Sequence, residues 1–225
     1  MRYKGIILDI DDTIYNYKIA HENGLKAVLN YMNKNHNISR EKAYNSYMFS
    51  RKITNERLSG TASSHSRTIY FKTMLEKLDI PVYKNTVILK ELYWKYFFNS
   101  MIIYDGVYDL IQLYTNSLCF LTDLTTEIQL KKISFLELDK YNIPIITSEE
   151  VGAEKPNKIM FDYAMKSLNL KKNELVMIGD NYNKDILGAI NYGIDAIWLS
   201  KDSKEKVNNQ LTILNSFKKI QTYLK

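Results

Sequence analysis

The chain of 225 residues has one cysteine, three histidines and no long apolar run. One thiol cannot form an internal disulfide, so a secreted domain held together by disulfides is excluded. No window reaches the roughly 18 uncharged apolar residues that a membrane-spanning helix needs. The apolar stretch before Asp9 is too short for a signal peptide, and the histidines show no metal-ligand spacing. We therefore expect a cytoplasmic protein with no membrane partner.

The chain also lacks a concentration of charge of one sign. Lysine and arginine together number 31 against 25 acids, a net charge of +6, but the two signs are mixed along the chain. Such mixing is typical of a solvated surface, so we expect no nucleic-acid partner. The apolar fraction of 45% is that of an ordinary globular chain, which excludes disorder.

Short apolar runs recur along the chain, most of them followed directly by a turn, hydroxyl or acidic residue. They cover residues 6–8, 118–121, 143–146, 175–178 and 196–199. Runs of this length without strict alternation are typical of strands buried on both faces, and helical spacing lies between the later ones. The pattern predicts an α/β fold with a parallel sheet, whose functional groups gather at the carboxyl ends of the strands.

One connection is far too long for a simple crossover. Asp9 and Thr122 are 113 positions apart, whereas a crossover needs about a dozen residues and a helix. The intervening segment has no convincing strand signal and several amphipathic stretches, such as residues 20–31 and 69–78. We expect a core domain of residues 1–15 and 101–225, with an all-helical domain of residues 16–100 inserted.

The first candidate site residues are Asp9 and Asp11. In extended backbone their side chains point the same way. Two carboxylates about 4 Å apart repel by roughly 4 kcal/mol at an effective dielectric near 20. They therefore need a cation, a shared proton or solvent. An acidic turn that caps the following helix is the alternative interpretation.

Further polar groups stand near the ends of later runs. Asp180 and Asp185 follow one run and Thr122 another, while Lys155 precedes Pro156, which suits the first turn of a following helix. Each alone fits a turn or a solvated loop, but together they indicate one site at the carboxyl edge of the sheet. Four acids, one lysine and one divalent cation would leave a single negative charge, and oxygen-only ligands favour magnesium.

The sequence resembles the haloacid dehalogenase-like (HAD) hydrolase superfamily. The run DIDDT at positions 9–13 is similar to the first motif of the superfamily, and Thr122 to its second. Lys155 is similar to the third motif, and Gly179-Asp180 with Asp185 to the fourth. The resemblance implies a Rossmann-like core with a helical cap inserted between the first and second motifs, here residues 16–100.

The resemblance also implies a role for each residue. Asp9 would be the nucleophile that forms an aspartyl-phosphate, and Asp11 the acid and base. Thr122 and Lys155 would assist catalysis. Magnesium would be bound by Asp9, Asp180, the main-chain carbonyl of Asp11 and, through water, Asp185. The substrate would contact Thr122, Asp123 and Lys155. Apart from the resemblance, we expect Arg67 of the cap to contact the non-phosphate part of the substrate, although an exposed helical face explains Arg67 equally well.

Position 11 favours one branch of the superfamily. A halide leaving group needs no proton and the dehalogenases lack this second aspartate, so Asp11 favours a phosphatase. We expect a magnesium-dependent phosphomonoesterase that acts on a small phosphorylated metabolite, a nucleoside monophosphate or sugar phosphate, as a monomer or homodimer. A phosphomutase of the same superfamily and a catalytically silent protein that binds a phosphorylated ligand stay open as alternatives.

Overall fold

The computed structural model describes residues 2–200, 204, 206–207 and 209–225. The chain divides into two compact units. An α/β unit comprises Met1–Asn16 and Ile102–Lys225, and a helical unit comprises Tyr17–Met101. Among the described residues, no helix has an apolar stretch long enough to cross a bilayer.

Strands and helices alternate through most of the α/β unit. The described strands are β1 (Gly5–Leu8), β2 (Leu118–Thr122), β3 (Ile145–Thr147), β4 (Leu175–Gly179), β5 (Asp195–Leu199), β6 (Lys206–Val207) and β7 (Leu211–Leu214). The described α-helices are α1 (Tyr17–His36), α2 (Arg40–Arg57), α3 (Arg67–Lys77), α4 (Val82–Phe98), α5 (Val107–Leu113), α6 (Thr126–Phe135), α7 (Ser148–Val151), α8 (Lys158–Leu168), α9 (Leu187–Tyr192) and α10 (Phe217–Leu224).

The strands form one sheet in the order β3-β2-β1-β4-β5-β7-β6. Every neighbouring pair is parallel except β6 and β7. Every residue of β1, β2 and β4 is buried, as expected for strands covered on both faces. The predicted Rossmann-like α/β fold is therefore confirmed.

The register of β1 determines where the site lies. Leu8, its last residue, pairs with Phe120 of β2 and with Ile178 of β4. Because the three strands are parallel and adjacent, the residues that follow them meet at one edge of the sheet.

Local details differ from the sequence expectations. β3 begins at Ile145 rather than at residue 143, because Pro144 has no N–H to donate to a ladder. The short strands β6 and β7 were not predicted. Pro156 lies outside the first turn of α8, contrary to expectation, because the side chain of Asn157 caps that helix by accepting from the Ile159 N–H at 3.1 Å.

The helical unit consists of α1 to α4 and a short 3₁₀ turn, Ala62–His65. Every residue of this unit is described, and none lies in a strand. Its core is rich in fully buried aromatic side chains, among them Tyr47, Tyr70, Phe71, Tyr93 and Phe97. Ring centroids in this group lie 5.7–6.0 Å apart, as is common for packed aromatic rings.

Candidate active site

Three carboxylates of the α/β unit meet at the carboxyl edge of the sheet. Asp9 follows β1, Asp180 follows β4, and Asp185 lies in the π-helical turn Tyr182–Ile186. One oxygen from each carboxylate lies within 4.8 Å of the others. The structure thus brings together acids that are far apart in the chain.

Thr13 connects two of these acids. Its fully buried hydroxyl lies 2.8 Å from Asp9 Oδ2 and 3.1 Å from Asp180 Oδ1, and it accepts from the Asp180 N–H. The sequence alone does not reveal this role of Thr13, because a threonine after an acidic turn is an ordinary helix-start residue.

Gly179 makes room for Asp185. A Cβ atom at position 179 would lie 2.4 Å from Asp185 Oδ2, far inside van der Waals contact. The glycine therefore has a steric reason to stand at the end of β4, and any side chain there would displace the Asp185 carboxylate.

Lys155 supplies a positive charge to the same cluster. Its buried ammonium lies 2.6 Å from Asp9 Oδ1 and 2.8 Å from Asp185 Oδ1, and it donates to the Leu121 carbonyl at 2.9 Å. Burial lowers the pKa of Lys155, but the charges of Asp185 and Asp9 outweigh burial and hold that pKa well above its ordinary value. The lysine is therefore a permanent cation.

One lysine does not balance the acids. Burial raises the pKa of Asp9, and repulsion by Asp185 and Asp180 adds to burial, so the pKa stays well above its usual range despite Lys155. Burial and the charges of Asp185 and Asp12 raise the pKa of Asp180 to about 7. Clustered carboxylates whose protonated form is favoured in this way are typical of a place for a cation.

The cluster fits magnesium in its donor chemistry. Its groups are hard carboxylate oxygens, with Asp9 and Asp185 almost entirely buried. Magnesium prefers a few carboxylates together with waters and substrate oxygens. Asp9, Asp180 and Asp185 are thus the residues that could hold it.

Asp11 points to a different set of partners. Lys132 Nζ lies 2.5 Å and 2.7 Å from its two carboxylate oxygens, Gln129 donates to Oδ2 at 2.8 Å, and the Tyr15 hydroxyl donates to Oδ1. Burial raises the pKa of Asp11, but the charge and hydrogen bonds of Lys132 outweigh burial and bring that pKa below its ordinary value. The side chain of Asp11 is therefore ionised and lies outside the carboxylate cluster.

Thr122 and Asp123 follow one another at the end of β2. Gln129 donates to Thr122 Oγ1 at 2.6 Å. Asp123 accepts from the Lys155 N–H at 3.0 Å and pairs with Lys184 at 2.8 Å. The carboxylate of Asp123 thus ties the Lys155 loop to the end of β2.

Arg67 belongs to the helical unit, where it is the first residue of α3. Its guanidinium is buried, donates to the His65 carbonyl and the Tyr17 hydroxyl, and lies 5.2–5.7 Å from the ring centroids of Tyr70, Tyr93 and Trp94. Its Nε has no hydrogen-bond partner within the described part of the chain. This arginine is a buried cation held by aromatic faces and neutral oxygens.

Gln129 and Lys132 were also missed from sequence. A signal was present, because Lys132 stands at helical spacing between Ile128 and Leu136, where an apolar residue is expected. A lysine on the apolar face of a helix indicates a buried anionic partner.

Comparison with known proteins establishes the family. The family model of haloacid dehalogenase-like hydrolases matches residues 3–193. The chain is a haloacid dehalogenase-like hydrolase. The resemblance seen in the sequence motifs is therefore confirmed.

Named relatives of this HAD-like hydrolase are phosphatases. It is 32% identical over 198 residues to the ribulose-1,5-bisphosphate 5-phosphatase of Halopiger xanaduensis, covering 86% of this chain and 83% of that protein. It is 27% identical to the glyceraldehyde 3-phosphate phosphatase of Methanothermobacter thermautotrophicus, covering 98% and 99%. The magnesium-bound structure of the HAD-hydrolase YfnB of Bacillus subtilis shares its fold, with a TM-score of 0.74 at 20% identity over 100% of this chain and 99% of that one.

Proposed function

We propose that this HAD-like phosphatase is a magnesium-dependent phosphomonoesterase that hydrolyses a small phosphorylated metabolite through an aspartyl-phosphate on Asp9. The observation that carries the proposal is the cluster of Asp9, Asp180 and Asp185, with Lys155 paired to two of the three carboxylates. An acidic turn that only caps a helix gives no reason to bury Lys155 between Asp9, which follows β1, and Asp185, which lies in the turn after β4. A phosphoryl-transfer centre requires such a charge arrangement.

In the first step, a carboxylate oxygen of Asp9 attacks phosphorus while the bond from phosphorus to the leaving oxygen breaks. Asp11 enters this step in the protonated form that the second step of the preceding turnover leaves behind, gives its proton to the leaving oxygen and becomes the carboxylate. Lys155 and the Thr122 hydroxyl hold the phosphoryl oxygens. The residues that would hold magnesium are Asp9, Asp180, the main-chain carbonyl of Asp11 and, through water, Asp185, and the metal would supply positive charge against the phosphoryl group when bound.

In the second step, water attacks phosphorus and the bond to Asp9 breaks, which releases inorganic phosphate. Asp11 takes the proton of the attacking water. Because the pKa of Asp11 is lowered, its carboxylate form prevails at neutral pH. This is the form that the second step needs.

Sugar phosphates are the favoured substrate class, since relatives matched over most of their length are named for ribulose-1,5-bisphosphate and glyceraldehyde 3-phosphate. Arg67 would contact a second anionic group of the substrate. Its support is a buried guanidinium that no carboxylate of the described residues neutralises. The cytoplasmic location and the monomeric or dimeric state stay predictions.

The direct test is release of inorganic phosphate, with and without magnesium, from a panel of sugar phosphates, nucleoside monophosphates and 4-nitrophenyl phosphate. We expect magnesium-dependent turnover that Asp9→Asn reduces by at least about 10³-fold, because the nucleophile is lost. Asp105→Asn, an exposed acid paired with the exposed Lys218, is the matched control and should keep wild-type rates.

Activity that survives both Asp9→Asn and chelation of the metal would contradict the proposal. An isomerised product without net phosphate release, dependent on a bisphosphate activator, would identify a phosphomutase instead. Binding of the panel without any conversion would identify a silent binding protein.

A further inference from the structure

Groups outside the four sequence motifs hold the carboxylate of Asp11 on both of its oxygens. The Lys132 ammonium lies 2.5 Å from Oδ1 and 2.7 Å from Oδ2. Gln129 donates to Oδ2 at 2.8 Å, and the Tyr15 hydroxyl donates to Oδ1. The orientation of this carboxylate is therefore determined by side chains on α6 and by Tyr15.

A lysine is an unusual residue at a fully buried position such as 132. Its side chain has 0% exposed surface, whereas that of Asp11 is 26% exposed. Burial of an ammonium is strongly unfavourable without a paired anion, and apolar residues of similar size often stabilise such positions better. Packing of α6 thus gives no reason for a lysine at position 132, whereas Asp11 does.

Gln129 joins Asp11 to the end of β2. Its amide nitrogen lies 2.8 Å from Asp11 Oδ2, 2.6 Å from Thr122 Oγ1 and 2.7 Å from the Asp123 carbonyl. Two amide hydrogens are shared among these acceptors. Because Gln129 and Lys132 are three residues apart, one face of α6 presents both to Asp11.

We propose that Lys132 and Gln129 are positioning residues that hold the Asp11 carboxylate where it takes the proton from the water that attacks the aspartyl-phosphate. The inference rests on the proposed function, because that function makes Asp11 the base. A free aspartate rotates about two single bonds, and donors on both oxygens remove this freedom before water arrives. Both residues act through Asp11 rather than on the phosphoryl group.

The test is transient kinetics of Lys132→Met with 4-nitrophenyl phosphate and magnesium. The nitrophenolate leaving group needs no proton, so formation of the aspartyl-phosphate does not depend on Asp11, whereas its hydrolysis does. We expect a burst of nitrophenolate that approaches one per active site, followed by turnover about 10–100-fold slower than wild type. The rate of aspartyl-phosphate formation should stay unchanged while kcat falls. KM should therefore fall in parallel with kcat, and kcat/KM should stay within about threefold of the wild-type value.

Matched variants separate positioning from folding. Lys131→Met makes the same change one residue away, where the side chain is 55% exposed and paired with Glu127, and should behave as wild type. Asp11→Asn should give a burst with still slower turnover. Adding Lys132→Met to Asp11→Asn should then change turnover by less than about twofold, because Lys132 acts through Asp11. If Lys132→Met does not fold, Gln129→Leu takes its place in the same assays.

The outcomes distinguish this inference from the proposed function. Wild-type turnover of Asp11→Asn would remove Asp11 from the proposed mechanism itself. A burst with Asp11→Asn, but none with either Lys132→Met or Gln129→Leu, would overturn the positioning inference alone. Additive losses in the double variant would also overturn it, because Lys132 would then act independently of Asp11.

Discussion

The two compact units bury charge in opposite ways. In the α/β unit, a buried lysine pairs with two carboxylates of the cluster of Asp9, Asp180 and Asp185, so negative charge is in excess. In the helical unit, Arg67 is buried among aromatic rings and neutral oxygens, so positive charge is in excess. Two ways of burying charge thus occur in one chain.

Each unit lacks the counter-ion that would neutralise its buried charge among the described residues. Carboxylates in excess leave room for a cation, and the site residues fit magnesium. Arg67 donates to His65 and Tyr17, but its Nε has no hydrogen-bond partner among the described residues, and a cation–π contact uses no hydrogen-bonding capacity. Replacing Lys155 or Arg67 by methionine should therefore change stability and activity by different amounts.

Lys155→Met should give the largest effect. It leaves Asp9 and Asp185 buried without their partner, and breaking a buried pair in this way costs about 3–5 kcal/mol. We expect the melting temperature of the metal-free protein to fall by about 10 °C and phosphatase activity to fall by at least about 10²-fold. Differential scanning calorimetry in a chelator and phosphate release measure the two losses.

Magnesium should restore part of the stability of Lys155→Met, because a cation then faces the same carboxylates. Lys158→Met, an exposed lysine at the start of α8, is the matched control and should change neither quantity. Equal melting temperatures for the Lys155 and Lys158 variants would show that the buried lysine does not stabilise the cluster.

Arg67→Met should have a smaller effect on stability. It leaves no carboxylate without a partner, and methionine can pack against the aromatic rings. Arg67→Met loses the cation–π contacts and hydrogen bonds of the guanidinium but also removes the cost of burying its charge. The free energy of unfolding should therefore fall by about 2 kcal/mol or less. Thermal unfolding of Arg67→Met beside Lys155→Met tests this order directly.

The kinetic prediction for Arg67→Met is specific to the substrate. KM should rise about tenfold for a sugar bisphosphate and by less than about twofold for a substrate without a second anionic group. Arg57→Met, an exposed arginine at the end of α2, is the control. An equal rise in KM for both substrates would remove Arg67 from recognition of the second anion.

Much of the α/β unit could be predicted, because a strand that is buried on both faces appears in the sequence as a continuous apolar run. The runs that became β1, β2 and β4 are continuous and apolar, and their order implies parallel pairing. The strand β7, half buried with only four residues, carries a weaker pattern. Short edge elements depend on neighbours that no local pattern records.

The site divides in the same way. Acids directly after apolar runs could be predicted to meet, because strand ends meet at one edge. The partners of Asp11 could not, because Lys132 lies 121 positions away and only the packing of α6 brings it there. The burial of Arg67 was equally hidden, because its rings come from separate helices.

The smallest predicted effect is the contribution of His21, a residue of the helical unit, to the pH dependence of stability. Burial, together with the positive charges of Arg67 and Arg51, lowers the pKa of His21 to about 3. An unfolded histidine takes up a proton below about pH 6.5. Between these values the unfolded state binds more protons, so His21 makes the free energy of unfolding decrease as the pH falls from 6.5 towards 3.

His21→Gln removes this proton uptake and can still contact the Tyr93 hydroxyl, which lies 2.7 Å from His21 Nδ1. From pH 7.5 to about pH 5.8, urea unfolding should therefore show a shift of about 1 kcal/mol in favour of the variant over wild type. Arg51→Gln, which removes one neighbouring positive charge, should produce a smaller shift of the same sign. Parallel pH profiles for wild type and His21→Gln would mean that the positive excess of the helical unit does not reach this histidine.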